Sequence, residues 1–545
     1  MIAVESIINE VLMDMETYDY VIVGGGTAGC VLADRLSASG KHRVLLIEAG
    51  GEPSSPWIGI PAGFSKLLTN KKYNWLFKTT PEENTNGRVI SVPRGKGLGG
   101  SSLINGMIYV RGQPGDYDAW AAAGATGWGY ADIEPYFRRL ESYSLGGETR
   151  GKSGPLQLDQ VRERFPISDA FLKAAEQAGQ VFNEDYNSPT QEGFGYYQVN
   201  QLNGQRCSAY DAYLKPARSR SNLVIRTGAH VLRLELQGTR CTGVTYRREG
   251  REFTVAASSE VIMAAGAIQT PQILELSGIG RPELLQSLGI PVRHALPGVG
   301  ENYIDHFATR MNWRVKNTVT LNEMSRGWRL VREVAKYFST RKGILTLGTG
   351  LVHGFVKTRS DLPSPDAQYF VVHASYANAA ERILDRAPGM TIGVTQLRPE
   401  SQGTIHVRSA DPFDQPAIRP NFLASEVDQQ CIVSSMKLAR HIMSQPAMAH
   451  FIEHEMNPGA SVVSDADWLE FARKDGQTIY HPLGTCRMGT DDRAVVDPRL
   501  KVKGLNGLRI VDASVMPKMV SGNIQGAVIM VSEKGADLIL GDRLS

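Results

Sequence analysis

"YDYVIVGGGTAGCVLADRLSASGKHRVLLIEAG" (residues 18–50) decides the fold. The β-branched run Val21-Ile22-Val23 ends at three glycines, a helix-like stretch follows at 28–39, and strand-like "RVLLIEAG" closes the segment. Strand, glycine turn, helix and second strand within about 30 residues predict a βαβ unit. Gly24, Gly26 and Gly29 form the pattern GxGxxG at its turn. Gly24 permits the tight turn, Gly26 lets the backbone approach a pyrophosphate, and Gly29 lets helix and strand pack closely. Thr27 and Ala28 open a helix whose free N–H groups and dipole favour an anion. Glu48 ends the second strand about 20 residues after Gly29, placed to accept from adenosine ribose hydroxyls. Its charge would repel a 2′-phosphate, which disfavours NADP. The segment predicts a dinucleotide site without separating FAD from NAD.

The rest of the composition sets limits. Hydrophobic residues make up 42% and charged residues 21%, too apolar for disorder. At 545 residues the chain is long enough for about two to four domain-sized cores. The 59 basic and 56 acidic residues nearly balance at +3 with no basic run, which argues against a nucleic-acid partner. Five scattered cysteines without a CxxC pair argue against a disulfide scaffold or zinc site and for a reducing cytoplasm. No cluster reads as a metal site. The N-terminus lacks a basic region and carries Glu5, Glu10, Asp14 and Glu16, unlike a signal peptide. Val4, Ile7, Ile8, Val11, Leu12 and Met15 fall at helical spacing, which predicts an extension helix packed on the body; the competing reading is a membrane-surface helix. No window approaches the ~20 apolar residues of a spanning helix, so membrane contact would be peripheral, at the inner face.

Further along, the glycine-rich "PRGKGLGGSSLINGM" (93–107) is followed by strand-like segments and by "EVIMAAGAIQTPQILELSGIG" (260–280), again strand, turn and helix. Between about 310 and 475 the glycine fingerprints stop, and strand-like "DAQYFVVHA" mixes with helical "VDQQCIVSSMKLARHIM". After it "GLRIVDASVMP" and "NIQGAVIMVSEKGADLIL" return to strand, loop and helix. The pattern predicts a nucleotide fold assembled from both ends of the chain, with a second domain inserted.

"GKGLGGSSLINGMIYVRG" (95–112) and "GAIQTPQILELSGIG" (266–280) resemble the two signature segments of the glucose–methanol–choline (GMC) flavin oxidoreductases. "LPGVGENYIDH" (296–306), "HPLGTCRMG" (481–489) and "GLRIVDASVMPKMVSGN" (507–523) resemble further family motifs, in the family's order. The resemblance spans residues 18–540 and is strongest to bacterial choline-dehydrogenase-like alcohol dehydrogenases. It implies an α/β (α+β overall) protein, with a Rossmann-like FAD-binding domain at 17–160, 204–308 and 477–545. A substrate-binding domain, a sheet covered by helices, would take 161–203 and 309–476. It also implies FAD lying against Gly99, Gly100, Ser101, Asn105 and Gly106, with the Asn105 amide at the isoalloxazine edge. Val231 would hold adenine through its backbone, and Asp512, Ala513 and Asn523 would meet the flavin side. Some relatives attach FAD through a histidine in the 99–105 loop; here that loop has none, so noncovalent FAD is expected.

Oxidising an alcohol requires removing the hydroxyl proton and passing the carbinol hydride to flavin N5. The resemblance places the base at His481 and its partner at Asn523, whose amide can donate to the alkoxide oxygen but cannot act as a base. His306 in the "NYIDH" turn reads as structural, and His353 and His373 as strand residues that could line a pocket. Where many relatives read S-G-N-T-N-A-P, this chain has Ser521-Gly522-Asn523-Ile524-Gln525-Gly526-Ala527, so no side-chain role toward flavin attaches to Gln525. The leading expectation is oxidation of a primary alcohol to an aldehyde, with oxygen or a quinone as electron acceptor. A family lyase or FAD photodecarboxylase and a nonenzymatic flavin-binding protein are the competing readings.

Overall fold

The computed structural model describes residues 16–378 and 383–542; the amphipathic segment at 4–15 lies outside them. β1 (Thr17–Val23) runs into the glycine turn, α1 (Thr27–Ser37) follows, and β2 (Val44–Ile47) pairs parallel to β1. All four residues of β2 are buried, because a central parallel strand is covered on both faces; hence an unbroken apolar run rather than an alternating one. The chain then leaves this sheet, giving β3 (Gly193–Tyr196) to a second one. It returns with β4 (Leu223–Arg226), parallel to β2, and with the meander β5 (Ala229–Gln237), β6 (Arg240–Arg248) and β7 (Arg251–Met263). The 13 residues of β7 serve two arrangements: its start pairs antiparallel with β6 and its end runs parallel to β1. α2 (Gly266–Leu276) follows directly.

The middle of the chain builds the second sheet from β8 (Phe307–Val315), then past α3 (Gly327–Thr340) from β9 (Val352–Val356), β10 (Ala367–Val372) and β11 (Gly389–Gln396). After α4 (Glu426–Met443) come β12 (Ile452–Asn457) and β13 (Gln477–Thr478). The order is β12-β8-β11-β10-β9-β3, antiparallel throughout, with β13 also on β8. β14 (Leu508–Ile510) then rejoins the first sheet parallel to the end of β7, and α5 (Gln525–Gly541) packs on α1.

Each sheet has its own core. Val21, Ile22, Leu45, Leu46, Val261 and Ile510 share the first. Met311, Val371, Ile392 and Val394 share the second with Ile432, Met436 and Ala439 of α4. This is the expected architecture, a nucleotide-type sheet assembled from both chain ends with a helix-covered antiparallel sheet inserted. All five cysteines are free and buried. Among the described residues no helix is long and apolar enough to cross a membrane.

Candidate active site

One cavity joins the two halves. Gly24, Gly26, Thr27, Ala28, Glu48 and Val231 line it on the dinucleotide side, with Asp512 and Ala513 beyond them. His481 and Asn523 line it where the second sheet contributes Ala308, Arg310, Phe370, Val372, Thr391 and Gly393. Alternate residues of β8, β10 and β11 therefore make one wall, as period-2 strands require.

The three fingerprint glycines divide by what a side chain would meet. A Cβ on Gly24 would lie 2.5 Å from the Ala264 carbonyl oxygen, and one on Gly29 would lie 1.9 Å from that of Gly24. Both are close-packing glycines, and Gly29 does not line the cavity. A Cβ on Gly26 would meet nothing within 4 Å, so its bareness serves the open space where a pyrophosphate would lie against the start of α1. Gly99 also lies outside the lining and permits a turn, at φ +109°; a Cβ on Gly100 would lie 2.7 Å from the Gly26 Cα.

Glu48 does more than its sequence position suggested. Its carboxylate accepts from the Gly25, Gly50 and Gly97 N–H groups at 2.8, 2.7 and 3.0 Å, tying the fingerprint turn to the second glycine-rich loop. Ser101 Oγ and Gly106 lie in that loop, the serine accepting from the Gly95 N–H at 3.1 Å. Asn105 lines the cavity, but its amide N–H donates to Gln525 and its oxygen accepts from the Met107 N–H and Arg206 Nη1. In this arrangement it braces the loop against α5. Asp512 accepts from the Gly266 N–H, Thr270 Oγ1 and both donors of Ser514, capping a short turn while facing the cavity. A bare cradle at a helix start, a carboxylate at the ribose position and a cavity that reaches His481 fit FAD.

The catalytic side is built on a turn. Tyr480 stands at φ +74°, a left-handed conformation that costs a non-glycine residue about 1 kcal/mol or more. Two buried groups hold it. Asp305 accepts from the His481 backbone N–H at 2.8 Å, from Thr478 Oγ1 at 2.5 Å and from the Tyr303 hydroxyl at 3.0 Å. Arg94 Nη2 donates to the Tyr480 carbonyl at 2.8 Å. Burial raises the Asp305 carboxyl to about 6, which leaves it mainly ionised at neutral pH.

His306 completes the arrangement. Its Nε2 lies 2.8 Å from the Leu397 carbonyl and its Nδ1 lies 2.9 Å from His481 Nδ1. Burial pushes His306 down to about 4, so the ring is neutral and carries one N–H. The carbonyl can only accept, so that N–H is on Nε2 and Nδ1 is an acceptor. His481 must then donate from Nδ1, which leaves its Nε2 lone pair facing the Asn523 amide at 3.2 Å. Asn523 is oriented in turn by Gln368, whose Nε2 donates to Asn523 Oδ1 at 3.2 Å and to the Tyr197 hydroxyl at 3.1 Å.

The structure thus brings together His481 and Asn523 and adds Asp305, His306, Gln368 and Arg94. The structural reading of His306 is corrected by its contact with the His481 ring. Its signal was present, since β8 begins one residue after it and β13 lies beside β8 just before His481. Gln368 sits in a strand with no motif around it and left no signal. His353 and His373 are fully buried in the second sheet and do not line the cavity. Among the described residues no group of three or more His, Cys, Asp or Glu is placed to hold a metal.

Burial, then the neighbouring His306 and the Arg94 charge, lowers His481 well below its ordinary 6.5. The neutral, proton-accepting form therefore persists on acidification. The expected kcat/KM profile for a neutral alcohol shows no His481 titration as pH falls through 6.5, and any fall should centre near 6, where Asp305 takes up a proton. Loss of activity with a midpoint at 6.5 would contradict the buried, depressed histidine.

GMC oxidoreductase family models match residues 18–308 and 399–532. The chain is 40% identical to an oxygen-dependent choline dehydrogenase of Photobacterium profundum, across 96% of this chain and 93% of that one. It is 39% identical to an alcohol dehydrogenase [acceptor] of Pseudomonas putida, across 96% of each. Among solved structures, pyridoxine 4-oxidase from Mesorbium loti superposes with a TM-score of 0.86 at 31% identity, covering 95% of this chain and 98% of that one. The chain belongs to the GMC oxidoreductase family, FAD-dependent enzymes acting on CH–OH donors.

Proposed function

We propose that this GMC oxidoreductase oxidises an uncharged, apolar primary alcohol to the aldehyde, with noncovalent FAD, His481 as base and Asn523 as donor to the alkoxide. The observation that carries the reading is the pairing of an unprotonated His481 Nε2 with an Asn523 amide N–H at 3.2 Å. A hydroxyl seated against that pair meets a proton acceptor and a hydrogen-bond donor together. His481 takes the hydroxyl proton at Nε2, contributing about 10² to 10⁴ in rate. Asn523 Nδ2 donates to the oxygen as negative charge develops there. The His306 Nδ1 lone pair keeps accepting from His481 Nδ1 once the ring is charged, while burial, His306 and the Arg94 charge all disfavour the charged ring. When bound, the flavin supplies the two-electron acceptor for the carbinol hydride.

Noncovalent attachment is supported by the absence of histidine from the 99–105 loop. The other histidine on the cavity wall, His230, has its Nε2 within 3.2 Å of the Pro412 carbonyl. Five free buried thiols suit a reducing, cytoplasmic setting. Oxygen or a quinone takes the electrons.

The substrate class follows from charge. Among the described residues lining the cavity, the only carboxylates are Glu48 and Asp512, both on the dinucleotide side and already bonded to protein donors. The second-sheet wall offers Ala308, Phe370 and Val372 with the cation Arg310, and Arg94 lies on the same cavity. Arg310 donates to Gln477 at 3.1 Å and interacts electrostatically with Asp475. A quaternary ammonium can donate no hydrogen bond, so without an anion it would depend on the faces of aromatic rings such as Phe370. An apolar chain instead gains about 0.8 kcal/mol per buried methylene, or roughly fourfold in kcat/KM. Although some relatives are named for choline, this wall suits a neutral alcohol.

Anaerobic reduction of the FAD enzyme by an alcohol series tests both levels. Primary alcohols are expected to bleach the flavin faster with chain length. 3,3-Dimethylbutan-1-ol, the uncharged isostere of choline, should exceed choline by at least about tenfold, a difference of about 1.4 kcal/mol. Equal or better reduction by choline overturns the substrate class alone. Failure of every alcohol overturns the reading as a whole.

A further inference from the structure

We propose that α3 is an in-plane docking helix that seats on an anionic lipid surface. Trp328, Val331 and Phe338 are 68%, 69% and 61% exposed, an uncommon level for large apolar residues that share one helix face. With exposed Ala335 they fall at i, i+3, i+7 and i+10, a continuous stripe along the helix. The helix packs on the body through its other side, where Glu333 and Tyr337 are buried. The stripe therefore faces away from the body.

Its rim says what covers it. Arg326, Arg329, Arg332, Lys336, Arg341 and Lys342 lie in or beside the helix, and its only carboxylate, Glu333, is buried. Glu323 lies 3.4 Å from Arg329, Glu333 3.8 Å from Arg332 and Glu163 3.5 Å from Lys336, three acids against six basic residues. The Arg332 guanidinium stands 5.2 Å from the Trp328 ring centre, and that of Arg341 stands 5.8 Å from that of Phe338. An aromatic body carrying a cation at its edge suits the boundary between acyl chains and headgroups. A second copy docked by twofold symmetry would set this basic rim against itself. An anionic bilayer satisfies both the stripe and the rim.

The location links docking to the cavity. Arg326 donates to the carbonyls of Leu384 and Asp385, in the hairpin that begins with the cavity-lining Tyr376. Beyond the other end of α3 the chain reaches Thr349, which also lines the cavity. Docking would turn this side of the cavity toward the bilayer, where apolar alcohols partition. That consequence rests on the proposed function; the docking itself does not.

Flotation of the full-length FAD enzyme with phosphatidylcholine vesicles, with and without phosphatidylglycerol, tests the proposal. Binding to the phosphatidylglycerol vesicles is expected, weak on phosphatidylcholine alone and reduced by salt. The triple variant Trp328→Ser, Val331→Ser, Phe338→Ser should lose at least about tenfold in vesicle partitioning. Its FAD content and its kcat on a water-soluble alcohol with a dye acceptor should be unchanged. Wild-type protein that does not float, or a triple variant that floats equally well, overturns the proposal. A wild-type dimer that the triple variant abolishes, without vesicle binding, assigns the stripe to a second copy and overturns it equally.

Discussion

His481→Ala is expected to retain FAD and slow anaerobic flavin reduction by an alcohol by about 10² to 10⁴. The direction follows from the tautomer chain. Leu397, His306 and His481 are linked so that the unprotonated nitrogen of His481, Nε2, faces the cavity. No neighbour can take over. His306 has both nitrogens engaged and a pKa near 4, and Asn523 has no basic nitrogen. Retained flavin separates this outcome from a folding defect. Stopped-flow measurement at the flavin absorbance reads the rate directly; a rate matching wild type would remove His481 from the chemistry.

Gly26→Val is expected to give a folded but colourless protein. A Cβ there meets no protein atom within 4 Å, and the native φ −72°, ψ −160° is extended backbone. The side chain would occupy the space assigned to the FAD diphosphate, at the start of α1. FAD affinity should fall at least about 100-fold, roughly 2.7 kcal/mol. In thermal melts the apo protein should keep its Tm, while the rise on adding FAD disappears. Gly24→Val and Gly29→Val are the contrast, since their Cβ atoms would strike backbone at 2.5 and 1.9 Å and lower the Tm of the apo protein itself. Full FAD binding by Gly26→Val would place the diphosphate elsewhere.

Much of this was legible residue by residue. The run of apolar residues into the three glycines identified β1 and its turn, because a buried parallel strand and a sharp backbone approach each leave a local mark. His481 and Asn523 were legible only through long motifs, since an isolated histidine or asparagine carries no mark of its role. Glu48 was half legible: an acid at a strand end suggested a ribose, whereas two of its three backbone N–H partners, Gly25 and Gly97, lie far from it in sequence. Asn105 was read as facing flavin, yet its amide also braces α5 through Gln525, a pairing across most of the chain.

The sequence by itself determined the βαβ unit, the return of the chain to its first sheet and the motif residues, because strand and helix periods, glycine turns and contiguous motifs are local. Only the tertiary structure decided which nitrogen of His481 is bare, that Gly26 is the one fingerprint glycine facing open space and that, among the described residues, the second-sheet wall lacks a carboxylate. It alone decided that the stripe of α3 faces outward, for amphipathic spacing reads the same whether the apolar face meets a core or the solvent. Each depends on distances between residues remote in the chain, and those exist only once both sheets have closed on the cavity.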